Sequence, residues 1–242
     1  MRTTKIEWTE RTWNPVTGCT KISTGCAHCY AETMAARLKA MGNPKYCNGF
    51  IPTIHPEALT EPIKWRNSST VFVCSMADLF HDAIPDSFIY SVFDVIEKNP
   101  QHIFQVLTKR PERMAKLLDT RKAPPNAWLG VTVENMDAKY RIDVLRNIEA
   151  KIHFLSCEPL LSSLGIMDLN NIQWVIVGGE SGPQARPMSI QWVREIHNQS
   201  IAKDIPFFFK QWGTYGPDGV KRSKKANGKS IDGRIIQMFP DA

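Results

Sequence analysis

Apolar residues fall in short runs of strand length, separated by longer stretches in which they recur every three or four positions. The runs are Thr70–Met76 (TVFVCSM), His102–Leu107 (HIFQVL), Trp128–Val133 (WLGVTV), Ile152–Cys157 (IHFLSC), Gln173–Val177 (QWVIV) and Pro206–Phe209 (PFFF). They are β-branched or aromatic and apolar at successive positions, which is the pattern of strands buried on both faces. A weaker run, Lys5–Trp8, predicts one more strand ahead of them. Helical patterns with start and stop signals lie between the runs. Tyr30–Met41 is closed by Gly42, Asp86 stands where it can cap Ser87–Lys98, and Pro111 fits the first turn ahead of Glu112–Asp119. Asn135 is placed to cap Met136–Ala150, whose Tyr140, Val144, Leu145 and Ile148 form one stripe, and Ser189 to cap Ile190–Lys203.

This alternation predicts an α/β fold with a parallel sheet and right-handed crossovers. The number of units favours a partial or complete (β/α) barrel of six to seven parallel strands over an open doubly wound sheet. The barrel is expected over residues 1–212, with a loop-rich insertion at 42–69 and a basic extension at 213–242. Within that extension, Asp232-Gly233 predicts the turn of a hairpin. At 242 residues the chain can bury a core without disulfide or metal staples. No window approaches the ~20 apolar residues of a membrane span. The polar start MRTTKIEWTE has no apolar signal core. A cytoplasmic protein is expected, with no membrane partner.

Charge sharpens the picture at one place. The formal net charge is +6, but six basic residues between Lys221 and Arg234 face the single acid Asp232, and the rest of the chain carries 24 basic against 23 acidic residues. Lys221, Arg222, Lys224 and Lys225 are therefore candidates for contact with a nucleic-acid backbone, set against the plainer reading of a solvated loop. A partner protein is a further expectation.

Polar residues gather just after the predicted strands, where ligands bind in parallel α/β folds. They are Ser75, Asp78, His81 and Asp82; Thr108, Lys109 and Arg110; Glu134 and Asn135; Glu158; Gly178, Gly179, Glu180 and Ser181; and Lys210, Gln211 and Trp212. The loop after the first strand adds Cys19, Cys26 and Cys29 in a C-x6-C-x2-C spacing. Three thiolates on one loop suit three irons of a 4Fe–4S cluster, leaving the fourth iron for a substrate or S-adenosylmethionine. A structural zinc completed by Cys47 or His55, and free buried thiols, are the alternatives.

WNPVTGCTKISTGCAHCYAE, with SMADLFHD, LTKRPERM, WLGVTVEN, SCEPLL, VIVGGESG and FFFKQWG, closely resembles a family of phage-encoded three-Cys-motif proteins, the gene-product thirty-seven/sixty-eight family. The resemblance runs from Trp8 to Pro240. It implies a radical S-adenosylmethionine-like fold, with the cluster on the first loop of the barrel and Tyr30 beside the adenine of S-adenosylmethionine. Two features depart from the superfamily pattern. Its usual first gap is three residues, not six, and its Gly-Gly-Glu follows the second strand, whereas Gly178-Gly179-Glu180 follows a later one.

Around such a cofactor, Ser75 and Asp78 are placed to take the amine, and Lys109 or Arg110 the carboxylate. Glu134 and Asn135 suit ribose hydroxyls, while Gly178 and Gly179 allow close approach. Glu158 is the acid–base candidate, and Glu180 and Lys210 are expected to face the substrate. Trp212 is open to stacking a base or to packing; Cys74 and Cys157 read as buried small residues. Three functions follow. The leading one is an iron–sulfur enzyme that generates a 5′-deoxyadenosyl radical, with a nucleotide or nucleic acid as candidate substrate. The others are a zinc-containing, non-catalytic binding protein and a metal-dependent hydrolase built on Asp78, His81, Asp82 and Glu158.

Overall fold

The computed structural model describes residues 4–241. Its main sheet has seven parallel strands: β1 (Arg11–Trp13), β2 (Thr70–Val73), β3 (Ile103–Thr108), β4 (Ala127–Thr132), β5 (Ile152–Cys157), β6 (Trp174–Gly178) and β7 (Phe207–Gln211). Spatial order equals chain order, and β1 and β7 are the two edges, so the strands curl into a half-barrel and not a closed one. Every residue of β4, β5 and β6 is buried, which is why these runs are apolar at successive positions.

Five helices follow strands: α1 (Tyr30–Ala40), α2 (Asp86–Glu97), α3 (Pro111–Thr120), α4 (Tyr140–Arg146) and α5 (Ile190–Ala202). Three expectations are corrected. The first strand is Arg11–Trp13, in register with Val71–Val73, and not Lys5–Trp8; Trp8 is buried from a turn, packed on the Phe72 ring at 4.6 Å. The span Met136–Ala150 is not one helix. Asn135 accepts from the Ala138 N–H and starts a 3-10 turn, α4 begins at Tyr140, and Asn171 donates to the Arg146 carbonyl where α4 ends. Asp86 is the first residue of α2 and not its cap; it pairs with Arg113 at 2.5 Å. No helix separates β5 from β6, because the chain after Glu158 turns back so that Leu160 N–H meets the Gly178 carbonyl and Leu161 N–H that of Glu134.

By packing, the chain divides into two compact units. The first comprises residues 1–22, 29–130 and 147–151. Trp13, Phe80, Phe93 and Phe104 fill its core, with Trp13 edge-on to Phe104 at 5.7 Å. Residues 42–69 hold three short 3-10 turns and the strand Thr53–Ile54, which pairs antiparallel with Val16–Thr17. The Trp13 indole N–H donates to the Ala58 carbonyl, which pins this segment to β1.

The second unit comprises residues 23–28, 131–146 and 152–242. Phe154, Trp174, Phe207, Phe208, Phe209 and Trp212 fill its core. The expected hairpin forms from Ser230–Ile231 and Arg234–Ile235, with Asp232 (φ 50°) and Gly233 (φ 77°) both left-handed at the turn. Beyond it the chain runs along β7: Phe209 N–H meets the Ile236 carbonyl and Met238 N–H that of Phe207. The exposed edge of the sheet is thereby covered. No helix among the described residues is long and apolar enough to cross a membrane.

Candidate functional site

In the first unit the rim is organised by one buried carboxylate. Cys74, left-handed at φ 58°, turns the chain at the end of β2 and delivers Ser75 and Asp78. One Asp78 oxygen accepts from Thr108 Oγ1 (2.7 Å) and Phe80 N (3.0 Å); the other accepts from Lys109 N (3.0 Å) and Arg110 Nη1 (3.2 Å). The Arg110 guanidinium also reaches Cys19 Sγ (3.6 Å), Thr20 O (3.4 Å) and Thr20 Oγ1 (3.1 Å). Asp78 therefore fixes Arg110, and Arg110 holds the start of the cysteine loop. His81 Nδ1 accepts from Ala83 N–H, which leaves Nε2 as the donor to Thr20 Oγ1 at 2.8 Å. Burial, and then the Arg110 charge, lower the pKa of His81 and keep the ring neutral. Tyr30 is exposed and donates to the Ser75 carbonyl, while Ser75 Oγ and Met76 N–H both donate to Asn14 Oδ1 at 3.2 Å.

In the second unit the segment Ser23–His28 carries Cys26 at the end of the 3-10 turn Thr24–Cys26. Asn135 Nδ2 donates to Thr24 Oγ1 (3.1 Å), and a Cβ on Gly25 would lie 3.0 Å from the Glu134 carboxylate. Glu134 is fully buried and paired with Arg141 at 2.9 Å; its Oε1 has no hydrogen-bond partner among the described residues. Glu180, also buried, is gripped by Arg186 through Nη2 (2.6 Å), Nε (2.9 Å) and the backbone N–H (2.8 Å), and His28 Nδ1 lies 3.3 Å from it. Burial raises the Glu180 pKa, but the hydrogen bonds from Arg186 and His28 outweigh it and hold the carboxyl below its ordinary range. Beside β6, Glu158 Oε1 pairs with Lys210 Nζ at 2.9 Å.

The six cysteines are all free thiols, and they differ in access. Cys19, Cys26 and Cys29 are partly exposed, Cys47 is exposed, and Cys74 and Cys157 are buried. Burial pushes the Cys74 thiol up to about 12 and raises Cys157 as well. Three of the four accessible sulfur donors thus fall close in sequence, on the loop 19–29, and that donor chemistry fits an iron–sulfur cluster. Among the described residues no group of three His, Cys, Asp or Glu side chains is gathered as the ligand set of a single ion.

The sequence model of family DUF5131, described as a protein of unknown function, matches residues 3–240. The chain belongs to DUF5131. No curated protein matches the sequence of this DUF5131 chain. Among solved structures, spore photoproduct lyase complexed with dinucleoside spore photoproduct aligns at TM-score 0.48 with 13% identity. A cysteine-to-alanine mutant of that lyase with dinucleoside spore photoproduct aligns at 0.49 with 14%, and a double mutant with bound AdoMet and the same dinucleoside at 0.48 with 11%. Each alignment covers 82% of this chain, which spans 64% of the lyase structures.

Several expected site residues of the DUF5131 chain contact protein. Asp78 has two donors on each oxygen, and Lys109 contributes its backbone N–H to it. Neither ring nitrogen of His81 is open to a metal, so the hydrolase reading loses two of its four ligands. Glu134, Asn135 and Glu180 face the cysteine turn. Trp212 is buried with its indole N–H on the Ser230 carbonyl, so it packs and does not stack a base. A Cβ at Gly178 would overlap Glu158, and one at Gly179 the Trp212 carbonyl; the close approach made there is by protein. Because that carbonyl is backbone, Gly179→Ala forces the ends of β6 and β7 apart. It should cost about 1–3 kcal/mol, read as a lower urea midpoint at constant slope. An unchanged midpoint would contradict the tight fit.

Proposed function

We propose that this DUF5131 chain is a radical S-adenosylmethionine-type iron–sulfur enzyme whose cluster is held by Cys19, Cys26 and Cys29. The carrying observation is that three of the four accessible thiols, Cys19, Cys26 and Cys29, lie on one eleven-residue loop after β1, with Cys47 alone elsewhere, while both cysteines at strand ends are buried. The likeness of its motifs to the phage three-Cys-motif proteins supports the same reading. When bound, the cluster and S-adenosylmethionine supply one-electron reductive cleavage to methionine and a 5′-deoxyadenosyl radical, which takes hydrogen from a substrate.

The chain's own residues divide the remaining work. Arg110 donates toward Cys19 Sγ at 3.6 Å and fixes the start of the loop. Exposed Tyr30 and its neighbour Ser75 offer a flat ring and a hydroxyl to the adenine and amine ends of the cofactor. Glu134, paired with Arg141 and packed under Gly25, supports the turn that carries Cys26. The Glu158–Lys210 pair presents both a carboxylate and an ammonium to a polar substrate.

A nucleotide or nucleic acid is the substrate class that suits the basic extension, where Lys221, Lys224 and Lys225 are all exposed. Arg222 contributes less, because Asp218 holds it through two bonds of 2.7 and 2.8 Å. Free thiols accord with a reducing, cytoplasmic setting in a bacterial or phage-infected cell. Reconstituted protein given S-adenosylmethionine and a one-electron reductant should release 5′-deoxyadenosine, and should release none without the reductant. A cluster-loaded protein that leaves S-adenosylmethionine intact under reduction would overturn the proposal.

A further inference from the structure

We infer that Arg186 and Glu180 are positioning residues that lock the turn presenting Cys26, before any cluster is bound. This rests on the iron–sulfur reading for its purpose but not for its geometry. The turn has little holding it internally: Cys26 N–H bonds to Ser23 O at 3.0 Å and Ala27 N–H to Thr24 O at 3.2 Å. A three-residue 3-10 turn with no buried side chain, closed by these backbone bonds and the 3.6 Å Ser23 Oγ–Cys26 Sγ contact, is weakly constrained from within. Side chains outside the turn must supply the order.

Arg186 uses its planar fork for this. Nε and Nη2 take the two oxygens of Glu180, and the remaining nitrogen, Nη1, donates to Thr24 O at 3.0 Å. Glu180, through the same carboxylate, meets His28 two residues beyond Cys26. One ion pair therefore grips the backbone at the start of the turn and a side chain just past its end. Asn135 on Thr24 and Glu134 under Gly25 complete the seat.

The Glu180 backbone is itself held from the other side. Its carbonyl accepts from Thr214 N–H at 3.0 Å, and Gly213 packs so closely on that carbonyl that no Cβ fits there. A lysine at 186 cannot reproduce the grip, because an ammonium has no planar fork to span a carboxylate and still reach a carbonyl. With both oxygens of Glu180 committed and its proton held off, the residue acts on the loop and not as an acid or base toward substrate. This revises the catalytic role that its place after β6 suggests.

The test is native-state hydrogen exchange on the reduced, metal-free protein, compared with Arg186→Gln and Arg186→Lys. Loss of charge-assisted bonds should speed exchange at the Cys26 and Ala27 amides about ten- to hundredfold. Amides of β6 and α5 should keep wild-type rates. Arg186→Lys should recover only part of the protection. After reconstitution, a chelator should strip iron faster from Arg186→Gln than from wild type.

Unchanged exchange at Cys26 and Ala27, or full protection by lysine, overturns the inference. If Arg186→Gln instead loosens the whole second unit, the Arg186→Lys protein, which keeps the charge, decides between these results. Faster exchange in a protein that never holds iron would leave the clamp standing and remove the cluster reading, so the two failures are distinguishable.

Discussion

Arg141→Ala lowers the free energy of unfolding by about 3–5 kcal/mol, the cost of leaving a buried charge without its partner. Arg141 is 4% exposed, and its Nη1 spans Glu134 Oε2 at 2.9 Å and the Thr132 carbonyl at 2.8 Å. Glu134 is wholly buried at the end of β4, and its second oxygen already lacks a partner among the described residues. Removing the guanidinium therefore strands a carboxylate where water does not reach. Urea denaturation measures the loss as a reduced midpoint. Replacing both partners by apolar residues of similar volume, Arg141→Met with Glu134→Leu, should recover most of it, since the pair is expensive to break and not to replace. A single alanine variant within about 0.5 kcal/mol of wild type, the range of an ordinary surface substitution, would contradict this account of the β4 end.

The second large effect is on iron. Cys26→Ala should reduce bound iron after anaerobic reconstitution from about four atoms to near none, because a cluster held by two thiolates has lost one of its three protein bonds. Cys19→Ala and Cys29→Ala should behave alike. Cys74→Ala and Cys157→Ala should not, since those thiols are buried and protonated. Their loss should appear as changed stability at unchanged iron content. A Cys26→Ala protein that keeps its full iron complement would remove the loop from the cofactor site.

The strands were readable because burial on both faces leaves an unbroken apolar run; Ile152–Cys157 is a strand over those same residues. Lys5–Trp8 misleads for a specific reason. Trp8 is as buried as a strand residue, but from a turn, whereas β1 is only three residues of mixed polarity, too short to show a strand pattern. The stripe along Met136–Ala150 is continuous in sequence. The helix begins late because Asn135 opens a 3-10 turn, and at its end the Arg146 carbonyl is taken by Asn171, 25 positions on, which no local pattern contains.

The same distinction runs through the site. Its carboxylates, Asp78, Glu134, Glu158 and Glu180, could be located because the ends of parallel strands are where such groups collect. Their partners could not. Arg110 stands 32 positions from Asp78, Arg141 seven from Glu134 and Arg186 six from Glu180, and none of these separations is a helical repeat within one helix. Arg110 is legible as a rim residue and as an alternative to Lys109 for a carboxylate, while Arg141 and Arg186 carry no signal beyond being arginines. Partner choice changes the meaning of the carboxylates: Asp78 and Glu180 brace the cysteine loop through Arg110 and Arg186, and Glu158 pairs with Lys210.

The most direct measurement is made on protein purified without oxygen: iron, sulfide and zinc content together with the absorption spectrum. The account predicts a brown protein with a broad band near ~400 nm and about four irons and four sulfides per chain. A colourless protein that takes up no iron on reconstitution and carries one equivalent of zinc would contradict it, and would make the three cysteines a structural site.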